Sequence, residues 1–206
     1  MSEFILKHWT IVLTTNLALI FIVIAFGHHH LHDENGLLEN FQAFLLFLAT
    51  ILYFRLAMLD DQSKESKLAN MGLSLLCFSF FSREVDIEQL PFMETAGFLF
   101  HGIGRTILLV ILWSGFFKNV YDHSEIKLLA LELLTSKYML FLTICFLLLV
   151  VGTTFDKEFW DIEHGRLYEE LAETNAYLIL IIPAIYGCYY KYRESRNAKI
   201  ANREIS

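Results

Sequence analysis

Six stretches of this chain are apolar over lengths that reach or approach a bilayer crossing, and no other feature restricts the fold as tightly. They run near 9–27, 41–59, 68–85, 97–117, 138–154 and 175–190. A helix needs roughly 20 mostly apolar residues to cross the hydrocarbon core. In lipid every backbone polar group must be satisfied within the segment, which leaves helices as the spanning element for runs of this length. The apolar part of the third run, Leu68 to Ser82, is the shortest, and it reaches spanning length only by continuing through Arg83 toward Asp86. The sequence therefore predicts an all-α polytopic membrane protein, a bundle of six transmembrane helices within residues 1–192, followed by a basic tail over 193–206.

Composition agrees. Apolar residues make up 55% of the chain and charged residues 19%, against about 45–50% and about 25% in soluble domains. The lipid bilayer is the expected partner, and self-association into a homo-oligomer is compatible with it. The net charge of −7 without a dominant basic tract argues against nucleic acid as a partner. Cys77, Cys145 and Cys188 all fall within apolar runs, so packing rather than disulfide formation is their expected role. Gly72, Ser74 and Ser79 form a small-residue set on the third run, suited to close helix contact. The first run is longer than a signal-peptide core and is followed by His28, His29 and His30 rather than a small-residue cleavage site, which predicts a retained span.

Orientation follows from the Lys and Arg residues of the short loops, which stay cytoplasmic. With six spans, Lys7, Arg55, Lys64, Lys67, Lys118, Lys127, Lys137, Lys191, Arg193, Arg196, Lys199 and Arg203 share one side. Only Arg83, Arg105, Lys157 and Arg166 lie on the other. Both termini are thus expected in the cytoplasm, with the protein in a bacterial-type inner membrane. An endomembrane with a lumenal face would give the same pattern. Most of the acids and six of the eight histidines then fall on the outer face, which is where the chemistry of the chain is expected.

An ionisable side chain inside a span is costly and normally faces a polar interior or finds a partner. If the fourth span begins near Gly97, Arg105 sits about 12 Å below the surface, with His101 one turn nearer the outside on the same face. Around them the outer helix ends carry Glu39 and Gln42 on the second run, Arg83, Glu84 and Asp86 on the third, Asp156 and Lys157 on the fifth, and Glu169, Glu170 and Glu173 before the sixth. Acids at a helix start also have a simpler explanation in the helix dipole. Glu39, Glu84, His101, Arg105 and Glu173 are the candidate catalytic residues. Gln42, Arg83, Asp86, Asp156, Lys157 and Glu170 are the candidate ligand-binding set.

The run His28-His29-His30-Leu31-His32-Asp33-Glu34 offers imidazole and carboxylate groups of the kind that bind zinc or a similar divalent metal. Its contiguous histidines cannot all aim at one ion. His32, His101, Glu39 and Glu173, drawn from separate helices, make the better metal set. No His-Glu-x-x-His motif, nucleophile elbow or P-loop is present. Glu34-Asn35 before a span, and Ser82 followed by acids ending in Gln89-Leu90-Pro91, resemble the seven-span metal-dependent hydrolases of the alkaline ceramidase type over about a sixth of the chain. That family closes its site with a His-x-x-x-His pair. Here Glu169, Glu170 and Glu173 stand instead, so the family is not assigned.

Two functions are consistent with these residues. One is a site that binds or acts on an outer-leaflet or periplasmic ligand, with an arginine holding a lipid headgroup or phosphate, a carboxylate as general base and His101 as proton shuttle; a metal-dependent membrane hydrolase is one form of it. The other is a non-catalytic sensor, an ion or proton pathway, or a scaffold subunit. The sequence does not decide whether the chain is an enzyme.

Overall fold

A computed structural model describes residues 10, 14–17, 21, 37–59, 62–85, 102–123, 137–156 and 165–204. Every regular element among them is an α-helix. Residues 10, 14–17 and 21, within the first apolar run, are helical. Five long helices follow: α1 (Leu37–Ala57), α2 (Lys64–Glu84), α3 (Gly102–His123), α4 (Lys137–Asp156) and α5 (Gly165–Glu204). Stretches of α1, α3 and α5, over Leu38–Ala57, Gly102–Asp122 and Gly165–Glu194, are long and apolar enough to cross a membrane, and α4 contributes a shorter apolar stretch, Met139–Phe155. These helices support a membrane protein.

The helix boundaries have local causes. Ser63, in extended conformation, caps α2 by accepting the Ser66 N–H on its hydroxyl at 3.1 Å, which satisfies one of the four donors a helix start leaves open. Gly102, at φ +53°, opens α3 in the left-handed region that side chains disfavour. The fourth span is expected to begin near Gly97; residues 97–101 lie outside the described residues, and the helix is described from Gly102, with Arg105 in its first described turn. Helix α5 departs further from the apolar pattern. It begins ten residues before the apolar run at Asn175 and stays helical through the basic tail to Glu204.

Helix α1 packs against α2 on one side and α5 on the other, α4 lies on α5, and α3 lies on α2. Contacts fix the directions. Gln42 meets Glu170 and Thr174 while Tyr53 meets Leu180, so α1 and α5 run parallel. Gly72 faces Phe116, Ser79 accepts the Trp113 indole N–H at 3.1 Å, and Ser82 meets Arg105, so α2 and α3 run antiparallel. A Cβ on Gly72 would stand 2.9 Å from the Phe116 ring tip, which is the close approach expected of a small-residue face. Ser74 instead turns to α1 and donates to the Thr50 carbonyl at 2.9 Å.

The core is one layer between α1, α2, α4 and α5. Leu46, Ala49, Tyr53, Cys77, Cys145, Ala176, Tyr177 and Leu180 are buried in it. Cys77 and Cys145 are free thiols filling space. On the outside, Phe44, Phe47, Ile51 and Phe54 of α1, Ile103, Ile107, Val110, Ile111 and Phe117 of α3, and Phe146 and Leu147 of α4 are exposed. Only 11% of the α3 stretch is buried, against 61% for α5. Apolar side chains on that scale fit a lipid surround better than water.

Candidate functional site

The alternation of helix directions brings together the end of α2, the starts of α1, α3 and α5, and the end of α4. Because α5 starts at Gly165, Glu169, Glu170 and Glu173 lie beyond its first turn, which holds no acid. The helix dipole acts chiefly on the first turn, so it does not account for these acids. Glu170, Glu173, Thr174 and Tyr177 recur at three- and four-residue spacing, which is one face of a helix. All four are buried.

Arg83, near the end of α2, crosses to that face. Its Nη2 donates to Glu173 at 2.8 Å and to Glu84 at 2.6 Å, and Nε donates to the same Glu84 oxygen at 2.9 Å. The Tyr177 hydroxyl accepts from Nη2 at 3.2 Å and donates to Glu84 at 3.1 Å. The guanidinium is 49% exposed, while the Glu84 and Glu173 side chains are 9% and 8% exposed. One half-open cation thus balances two buried carboxylates. Burial of those acids is tolerable only because each has a charged, hydrogen-bonded partner.

Beside this group, the Gln42 amide is fully buried and its Nε2 faces three oxygens: Glu170 Oε2 at 2.7 Å, the Glu170 carbonyl at 3.0 Å and Thr174 Oγ1 at 3.1 Å. Glu39, expected in the same site, lies at its rim and pairs with Arg166 at 3.2 Å. Arg105 comes in from α3, where its Nη1 donates to the Ser82 carbonyl at 3.1 Å. It makes no ion pair among the described residues.

The structure thus joins Arg83, Glu84 and Glu173 directly, sets Gln42 on Glu170 next to them, and brings Arg105 to the adjacent turn of α2. His32, His101, Asp86 and Lys157 lie outside the described residues, and Asp156 is described only as the last residue of α4. Of the metal set, Glu39 and Glu173 are each held by an arginine, and no group of three His, Cys, Asp or Glu suited to a metal occurs among the described residues. Sequence reasoning missed Tyr177, Thr174 and Arg166. Thr174 and Tyr177 continue the helical face of Glu170 and Glu173, a signal that was readable once the helix was extended back to Gly165. Nothing local marks Arg166, whose partner is 127 residues away.

One turn along α5, Asn175 forms a reciprocal amide pair with Asn16, with N···O distances of 2.6 and 2.9 Å. Interhelical polar contacts of this kind in membrane proteins contribute about 0.6 kcal/mol on average and up to about 1.7. Replacing Asn175 with leucine is expected to lower stability by about 1 kcal/mol, because both hydrogen bonds of the Asn16–Asn175 pair are lost. The double replacement with leucine at both positions should recover part of that loss, measured by unfolding in mixed micelles.

A scan against protein-family models and searches among curated proteins and solved structures give no match to this chain. Fold and site together define its class as an all-helical protein with helices long and apolar enough to cross a membrane and an arginine–carboxylate crown at one end of the bundle.

Proposed function

We propose that this chain is a six-span integral membrane protein, both termini cytoplasmic, that binds an anionic ligand at its extracytoplasmic face. The ligand class its arginines fit is the phosphate of an outer-leaflet lipid headgroup. The observation that carries this reading is Arg105. Its guanidinium is always charged, yet its hydrogen bonding among the described residues is one donation to a main-chain carbonyl.

Its surroundings favour an anion. The first described turn of α3 contains no acid. Arg83, one residue beyond the Ser82 carbonyl that Arg105 touches, is half-exposed. Its Nη1 makes no hydrogen bond among the described residues, so it retains a donor for a second phosphate oxygen. Planar guanidinium forks match phosphate geometry, and such charge-assisted bonds are the strong ones. Glu84, Glu173 and Tyr177 act as positioning residues that fix the Arg83 side chain. Metal-assisted hydrolysis has no support among the described residues.

The test is lipid retention by native mass spectrometry, comparing phosphatidylglycerol with phosphatidylcholine. The wild-type protein should retain the anionic lipid preferentially. Arg105→Gln should weaken that retention about tenfold, since one hydrogen bond to a charged group contributes about 1.5–3 kcal/mol and about 1.4 kcal/mol is a factor of ten. Equal retention by wild type and variant would remove the proposal.

A further inference from the structure

The buried end of α5 holds a second feature that phosphate binding does not use. Glu39 has Arg166, and Glu84 and Glu173 have Arg83. Glu170, buried beside them, makes no ion pair with any described cation, and among the described residues its one side-chain hydrogen bond comes from the neutral amide of Gln42 at 2.7 Å. The same amide has the complementary deficit. Gln42 is fully buried, and its Oε1 has no hydrogen-bond donor among the described residues. A buried acceptor left open is costly, so a carboxylate without a countercharge and an amide oxygen without a donor stand against each other.

One particle resolves both deficits. A proton on the second oxygen of Glu170 makes it an O–H donor. Donation to Gln42 Oε1 then closes a two-bond acid–amide ring with the Nε2–H···Oε2 bond already present. We propose that Glu170 and Gln42 form a proton-binding site of the protein, in which Glu170 takes one proton from water and shares it with the Gln42 amide. One O–H bond forms, the charge of the site goes from −1 to 0, and no electron moves.

The groups acting on Glu170 are Gln42 and Glu39 from α1, Glu84 with its partner Arg83 from α2, and Glu173 along α5, while Thr174 shares the Gln42 amide. From α4, Gly152 lies against the neighbouring Glu173, Ala172 and Glu169. Three of these neighbours are acids, and their arginines are already engaged. Glu170 is one turn from Glu173, so proton uptake changes the charge beside the Arg83 network. By linkage, a ligand that shifts that network shifts the proton by the same factor. The proton site itself does not depend on what Arg105 binds.

The experiment is infrared difference spectroscopy of the full chain in lipid nanodiscs, titrated from mildly acidic to mildly alkaline pH in sodium and in choline chloride. A protonated-carboxyl C=O band that moves on exchange into D2O, is absent from Glu170→Gln and shifts in Gln42→Leu is the expected result. Glu170→Gln preserves the shape of the side chain, and its unfolding midpoint should match that of wild type, which separates loss of the proton from loss of the fold. No such band in wild type, or a band that survives in Glu170→Gln, would overturn the proposal. A band seen only in choline would also overturn it, in favour of an alkali-ion site. None of these readings involves lipid retention, so the phosphate reading stands or falls separately.

Discussion

Replacing Arg83 with leucine is expected to cost about 2–3 kcal/mol of stability, one of the two largest effects among the substitutions considered. Removing one partner of a fully buried ion pair typically costs about 3–5 kcal/mol, because the remaining charge is left uncompensated. Arg83 is half-exposed, so solvent screening reduces that figure. The two carboxylates it serves are nonetheless more than nine-tenths covered. Adding Glu84→Gln and Glu173→Gln to Arg83→Leu should recover most of the loss, because neutral amides do not need the cation. Unfolding of wild type, the single variant and the triple variant in mixed micelles gives the comparison. A single Arg83→Leu variant within about 0.5 kcal/mol of wild type, the scale of an exposed pair, would mean that the network is an ordinary surface cluster.

The second large effect lies in the core. Leu46 has no exposed surface and sits among Ala49, Cys77, Ala176 and Tyr177. Truncation to alanine removes its contacts and leaves a cavity, a change that costs about 2–5 kcal/mol in well-packed interiors. Ile111 of α3 is 62% exposed, and the same truncation there should cost well under 1 kcal/mol, because lipid fills the space a side chain vacates. The pair of variants tests the packing directly. Equal losses at the two positions would mean that α3 is covered by protein rather than by lipid.

Much of the architecture was legible because it rests on run length. Among the described residues, 41–57, 102–117 and 138–154 of the apolar runs each lie within one helix. The start of α5 was less legible. Glu169, Glu170, Glu173 and Thr174 lower the local hydropathy, so an apolar criterion begins the element at Asn175. The buried face of α5 instead runs back through those polar residues, because Gln42, Arg83 and Glu84 supply partners for them from other helices. Such compensation is tertiary, and no window along the chain contains it.

The candidate site divides the same way. Arg83, Glu84 and Glu173 were identifiable as ionisable groups at neighbouring helix ends, and they do meet. The depth expected for Arg105 counts from a helix start near Gly97, and residues 97–101 lie outside the described ones; its donation to the Ser82 carbonyl depends on how α2 and α3 pack. Pairing of Glu39 with Arg166, rather than with the interior, depends on how α1 and α5 align. Residue type alone does not encode that register.

Helix α5 is 40 residues long, or about 60 Å at 1.5 Å per residue, roughly twice the thickness of a hydrocarbon core. Near its middle Pro183 supplies no N–H to the Ile179 carbonyl, and the Tyr53 hydroxyl grips the neighbouring Leu180 carbonyl at 2.9 Å. The middle of the element that carries Glu170 and Glu173 at one end is therefore anchored to α1 beside a carbonyl that Pro183 leaves without its helical donor.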